Sequence, residues 1–214
     1  MKMEIIKKYL KWIILFVCLI GFIAIAEDVF ENEIMKCDII GYGIISKYLI
    51  SDKITPIAKA ITNFGGIIVL PVCTICALVF IKDKRIALYI ALNLVLVTGL
   101  NIVLKNIVQR PRPLEYRIID ETGYSFPSGH SMVSAAYYGF IIYLIYKMVE
   151  NKKIKWTLIT ILSLLVISIG ISRIYLGVHY TSDVIAGFLI SISFLVIYTS
   201  IVSKILFNKN ENIL

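Results

Sequence analysis

Charge is scarce in this chain. Asp, Glu, Lys and Arg make up 17 % of its 214 residues, against about 25 % in a typical soluble domain. With 59 % hydrophobic residues and a mean hydropathy of +0.87, that scarcity excludes an ordinary water-soluble globule. It points to a polytopic membrane protein. Cysteine is also rare: Cys18, Cys37, Cys73 and Cys76 are the four. The Cys73–Cys76 pair has C-x-x-C spacing but lies in an apolar run, with no second pair and no neighbouring histidine. This excludes a disulfide framework and a zinc site, and leaves these thiols as small buried hydrophobes. There is no internal repeat, low-complexity tract or second domain, so residues 1–214 read as one domain.

What is present is a set of long apolar runs. Six segments stand out, at about residues 9–26, 57–81, 86–104, 131–146, 156–171 and 184–202. A span needs about 20 apolar residues. The third and sixth meet that length without interruption by charge, and the fourth and fifth need their flanks. Pro71 falls within the second, where a kink is tolerated inside a bundle. The fold expected is therefore all-α, a bundle of six transmembrane helices.

The net charge of +8 is distributed as a membrane topology requires. With the N-terminus inside, the inner segments hold thirteen of the 22 basic residues and four of the 14 acidic ones, a net of +9. The outer side holds nine and ten, a net of −1. Both termini are then cytoplasmic by the positive-inside rule, and a nucleic-acid partner is unnecessary. Ala24-Ile25-Ala26 also fits a signal-peptide cleavage site; the even helix count, which keeps the basic C-terminus inside, favours an uncleaved first helix. The outer segment 27–56 begins acidic and continues with Gly41 and Gly43. It reads as a short interfacial helix or as an ordinary loop.

Three polar clusters fall on the outer side, at the ends of apolar segments. Lys105, Arg112 and Pro113 leave the third. Pro127, Ser128, Gly129 and His130 enter the fourth. Ser172, Arg173, His179 and Asp183 join the fifth and sixth. His130 and His179 are the only histidines, and ionisable groups at such positions are costly and usually functional. Asp183 follows His179 by four residues, one helical face. A carboxylate there can hold Nδ1–H and leave Nε2 free to attack, while also capping the sixth segment. Ser128 is placed as a helix N-cap, and Gly129 allows close approach of a ligand to the backbone. A helix N-terminus binds anions, and Lys105, Arg112 and Arg173 add charge-assisted bonds suited to phosphate. Arg110 and Arg117 read as headgroup anchors at the interface.

Together these clusters resemble the three signature motifs of the type 2 phosphatidic acid phosphatase superfamily. K-x6-R-P is matched at Lys105, Arg112 and Pro113. P-S-G-H is matched at Pro127 to His130, and S-R-x5-H-x3-D at Ser172, Arg173, His179 and Asp183. The similarity covers at least residues 57–202. Thr181-Ser182 departs from the proline that many members carry after the His-Tyr pair. The resemblance implies metal-independent hydrolysis of a lipid phosphate or diphosphate, with undecaprenyl diphosphate, phosphatidylglycerophosphate and phosphatidate as candidates. His179 would form a phosphohistidine, Asp183 would orient it, and His130 would protonate the leaving oxygen and then assist water. Lys105, Arg112, Ser128, Gly129 and Arg173 would hold the phosphoryl oxygens. It implies no cofactor, a phosphorylated membrane lipid and the bilayer as partners with no protein partner, and a plasma-membrane enzyme whose site is extracytoplasmic. Two other readings share the pocket: a lipid-phosphate binding or transport protein, and a vanadium-dependent haloperoxidase.

Overall fold

The structure is a computed structural model that describes residues 2–31 and 34–207. Glu33, Lys209 and Glu211, used above for topology, lie outside the described residues. Eight helices follow in order: α1 Lys2–Phe30, α2 Lys36–Tyr48, α3 Thr55–Asn63, α4 Val69–Phe80, α5 Lys84–Val108, α6 Gly129–Met148, α7 Lys152–Tyr175 and α8 Thr181–Leu206. The fold is thus all-helical among the described residues. Four stretches are long and apolar enough to cross a membrane: Tyr9–Phe30, Lys84–Val108, Lys152–Tyr175 and Thr181–Leu206.

The remaining two expected spans differ from a simple apolar rod. Helix α6 has 20 residues but carries Ser, Gly, His and Tyr. It packs against α5, α7 and α8, so neighbouring helices, not lipid, surround much of it. Segment 57–81 is not one helix. It breaks after α3 at Phe64-Gly65-Gly66, where tight turns run from Gly65 N to Thr62 O and from Gly66 N to Asn63 O. The glycines are required by space. A Cβ on Gly65 would lie 2.8 Å from the Ile169 side chain and 3.2 Å from the His130 carbonyl oxygen. Pro71 makes no kink, because it sits in the first turn of α4, where its missing N–H would have had no helical partner.

Segment 27–56, expected to be an interfacial helix or a loop, contains a helix, α2, packed on α7 and α8. The cysteines require a correction. Cys18 is buried, but Cys73 and Cys76 are exposed. Leu70 and Thr74 form the inward stripe of α4, so Cys73 and Cys76 face outward beside Val72, Ile75 and Val79.

Lipid tails are as apolar as leucine, so close packing and hydrogen bonds hold membrane helices together. Both are visible around α6. Ser191 Oγ on α8 donates to Met132 O at 2.7 Å, a bond worth about 0.6 kcal/mol between such helices. A Cβ on Gly187 would come within 3.2 Å of Met132 N and Ser128 O, so the backbone of α8 lies directly on the first turn of α6. Tyr138 Oη donates to Phe64 O at 2.8 Å, pinning the α3–α4 turn. Phe140 and Tyr198 meet edge to face at 5.0 Å within the main apolar cluster. These contacts gather the ends of α5, α6, α7 and α8 that carry the three polar clusters.

Candidate active site

His179 lies in the turn between α7 and α8, and Asp183 in the first turn of α8. Both are buried. Asp183 Oδ2 accepts from Tyr180 N at 2.9 Å and from Ser125 Oγ, and faces His179 Nδ1 at 3.4 Å. The carboxylate therefore caps α8 and orients the histidine, as the i,i+4 spacing allowed. On the other side of the ring, Arg112 Nη1 stands 3.0 Å from His179 Nε2. A guanidinium only donates. Nε2 must then be the unprotonated nitrogen and Nδ1 the protonated one, so the lone pair needed for attack is on Nε2. Burial pulls the His179 pKa down to about 4, partly opposed by the bond to Asp183 and its charge, so the ring is neutral near pH 7.

Arg112 ties two loops together. Its Nε donates to Gly123 O, Nη2 to Thr122 O and Nη1 to Val178 O, each at 3.0 Å. Lys105, in the last turn of α5, donates to Tyr124 O and to Ser125 O, the latter at 3.4 Å. Arg173, in the last turn of α7, is 1 % exposed. It donates to Thr62 Oγ1 at 2.8 Å and to Glu121 Oε2 at 2.5 Å, while its Nε has no partner. Burial alone would raise the Glu121 carboxyl, but the Arg173 charge outweighs it and holds Glu121 below the usual carboxylate range.

A cavity of about 360 Å³ is lined by Lys105, Arg112, Glu121, Gly129, His130 and His179. Ile67, Leu70, Leu94 and Ile102, from α4, α5 and the α3–α4 turn, also line it. Five of the eight site residues expected from sequence thus meet at one cavity. Asp183 stands behind His179, and Arg173 behind Glu121. Ser128 is at the N-cap of α6 but makes no side-chain cap bond. Its buried Oγ accepts instead from Ser131 Oγ at 2.9 Å, and it does not line the cavity.

Arg110 is not an interface anchor. It is 7 % exposed, pairs with Asp183 Oδ1 at 2.7 Å and Asp38 Oδ2 at 3.0 Å, and stacks 4.0 Å from the Tyr180 ring. The signal was in the Arg110-Pro-Arg112-Pro113 run. A residue before proline is biased to extended backbone, and i and i+2 then share a side. Arg117 does remain half-buried near the surface, donating to Pro113 O at 2.7 Å. Asp38, Thr62, Glu121 and Ser125 also escaped the sequence reading.

Membrane helices whose ends bring a buried His–Asp pair, a second histidine and two cations to one cavity, with a third cation behind it, define a class of membrane protein built to hold a phosphate-like anion. The model of the PAP2 superfamily matches residues 86–207, more than half of the chain. The chain belongs to that superfamily. It is 42 % identical over 93 residues to phosphatidylglycerophosphatase B of Bacillus subtilis (strain 168), covering 42 % of this chain and 44 % of that protein; the match thus spans less than half the length of that relative. It is 29 % identical over 203 residues to the undecaprenyl-diphosphatase of Sulfolobus acidocaldarius, covering 88 % of this chain and 90 % of that protein. The crystal structure of a transmembrane PAP2 type phosphatidylglycerolphosphate phosphatase from Bacillus subtilis superposes with a TM-score of 0.78 at 25 % identity, covering 89 % of this chain and 96 % of that one.

Proposed function

We propose that this protein hydrolyses the phosphate or diphosphate of a membrane lipid through a phosphohistidine on His179, without a metal. The observation that carries this reading is the placement of the His179 ring on the cavity: Nδ1 towards Asp183 and Nε2 towards Arg112 at 3.0 Å. Nε2 attacks phosphorus, and the N–P bond forms as the bond to the lipid oxygen breaks. His130, on the same cavity, gives its proton to that oxygen. Water then attacks phosphorus and yields a proton to His130, the N–P bond breaks, and phosphate leaves. The imidazolium formed on phosphorylation keeps its Nδ1 proton facing Asp183. Arg112, Lys105 and Arg173 meet the phosphoryl charge that a divalent cation would otherwise meet. The Gly129 N–H at the start of α6 adds a donor. Ser128 contributes by shaping that turn.

The apolar part of the cavity lining supports a lipid substrate. Ile67, Leu70, Leu94 and Ile102 line the cavity together with its charged groups, so a hydrocarbon stem has somewhere to lie. Two further spans complete the topology: α6, and α3 with α4 as one broken span. Its non-helical residues lie against the cavity, where such backbone is tolerated at membrane depth. Six crossings then place both termini in the cytoplasm and the site at the outer surface of the plasma membrane. The names of the relatives support phosphatidylglycerophosphate and undecaprenyl diphosphate as substrates, with phosphatidate as a third.

The test is phosphate release by purified protein in detergent, with chelator present, from these three lipids. Release from at least one, lost in His179→Ala, is expected. Release that needs added magnesium, or that His179→Ala retains, contradicts the proposal.

A further inference from the structure

Asp183 is held from both of its oxygens, and its motif partner His179 faces only one of them. On Oδ2 stand His179, Tyr180 N and Ser125. On Oδ1 stands Arg110, at 2.7 Å. Arg110 is in turn gripped by Asp38, which lies on α2, outside the residues 86–207 that match the family model. Asp38 is 4 % exposed. It also accepts from Ser182 N at 2.7 Å and from Ser182 Oγ at 3.0 Å, one residue from Asp183. A helix that packs on α7 and α8 thus delivers a buried carboxylate 144 residues away in sequence to the back of the His–Asp pair.

We infer that Asp38 is a positioning residue for His179, acting through the Arg110 guanidinium that it shares with Asp183. This rests on the proposed role of His179. Two carboxylates dividing one buried cation leave the group with a net negative charge. Without the charge of Asp38, the Arg110 charge is no longer shared between two carboxylates and cancels more of the Asp183 field at the imidazole. The phosphohistidine, which is cationic on the ring, loses stabilisation. Without Arg110, the reverse holds for charge, but Oδ1 loses its anchor.

The other groups that face this network set the background. His179 meets Arg112 on the α5–α6 loop, Arg173 on α7 and His130 on α6. Asp38 meets Cys37 on its own helix and Tyr180 at the start of α8. Asp38→Asn removes the charge and can keep an oxygen for Ser182 N, but its amide NH2 then takes the place of the oxygen that accepts from Arg110 and Ser182 Oγ.

The experiment uses the full chain in detergent micelles. Turnover is measured on the lipid that the parent protein hydrolyses fastest among the three above. The ionisation of His179 is read by histidine-labelled NMR in a His130→Ala background, where His179 is the one histidine. Asp38→Asn is expected to lower kcat about 10–100-fold, the loss of one charge-assisted contact, with KM within about threefold. It should lower the His179 midpoint, whereas Arg110→Gln should raise it by roughly one unit. In the Arg110→Gln background, Asp38→Asn should add little. If Asp38→Asn does not fold, the rise in Arg110→Gln still decides. His179 midpoints unchanged in the folded variants, with kcat tracking only the amount of folded protein, would overturn the inference. A parent protein without turnover would instead sink the phosphatase reading and leave the NMR shifts to be judged on their own.

Discussion

The two parts of this chain do different work. Residues 86–207 carry every group proposed to touch phosphorus, and they match the family model. The residues before them contribute no motif, yet they hold two of those groups, and the partners of Asp183, from behind. Asp38 on α2 grips Arg110 and Ser182. Thr62 on α3 takes a bond from Arg173 at 2.8 Å. Gly65 gives way to the His130 backbone. A local motif fixes which atoms react; their positions depend on helices that are distant in sequence and carry no signature at all.

That contrast can be broken by experiment. The largest effect should come from the reacting half. Arg112→Ala removes a donor from the phosphoryl site and from Nε2 of His179, and should cost about 10²–10³ in kcat. Arg112→Lys should recover little, since a point charge cannot reach Gly123, Thr122 and Val178 together. Steady-state kinetics of the two variants checks both statements.

A smaller effect concerns pH. Protonated His179 cannot attack. Burial lowers its folded pKa to about 4 from an ordinary value near 6.5, despite the opposing influence of Asp183. The neutral, attacking form therefore persists as pH falls through 6.5 and is lost only through about 4. The part of the kcat/KM profile due to His179 should fall about tenfold per unit below that value. A His179 midpoint near 6.5 by histidine NMR would contradict the burial that the structure gives it.

The smallest effect should come from the supporting half. A methyl on Gly65 meets Ile169 at 2.8 Å and His130 O at 3.2 Å. Gly65→Ala should destabilise by about 1–3 kcal/mol, as overpacking does, and lower turnover only several-fold. Thermal unfolding in detergent alongside kinetics would show whether stability or turnover takes the larger share. A Gly65→Ala defect as severe as that of Arg112→Ala would erase the distinction between the two halves.

The same contrast explains what was legible in the sequence. The three clusters were legible because each is short, and because each lies at the end of a long helix among α5, α6, α7 and α8. The His179–Asp183 relation was suggested by the four-residue spacing together with the other two clusters, although His179 lies in the turn before α8 and not on its face. Ser128 was readable as a position but not as a cap, since its hydroxyl is claimed by Ser131. Arg110 was misread although the Arg110-Pro-Arg112-Pro113 run placed it on the side of Arg112, because its partner Asp38 is 72 residues away. The break at Gly65-Gly66 was hidden inside an apolar run, because hydropathy reports composition and not the closeness of Ile169 and His130. The outward placement of Cys73 and Cys76 was likewise set by which stripe of α4 meets α5, a matter of packing.

The central claim is the covalent step at His179. It is tested most directly by rapid quench of the purified protein with lipid labelled on the reacting phosphorus, followed by mapping of the labelled peptide. The account predicts a transient, acid-labile and base-stable phosphoryl group on the peptide that contains His179, absent in His179→Ala and prolonged in His130→Ala. Turnover with no label on the protein at any time, or label carried by another residue, would contradict it.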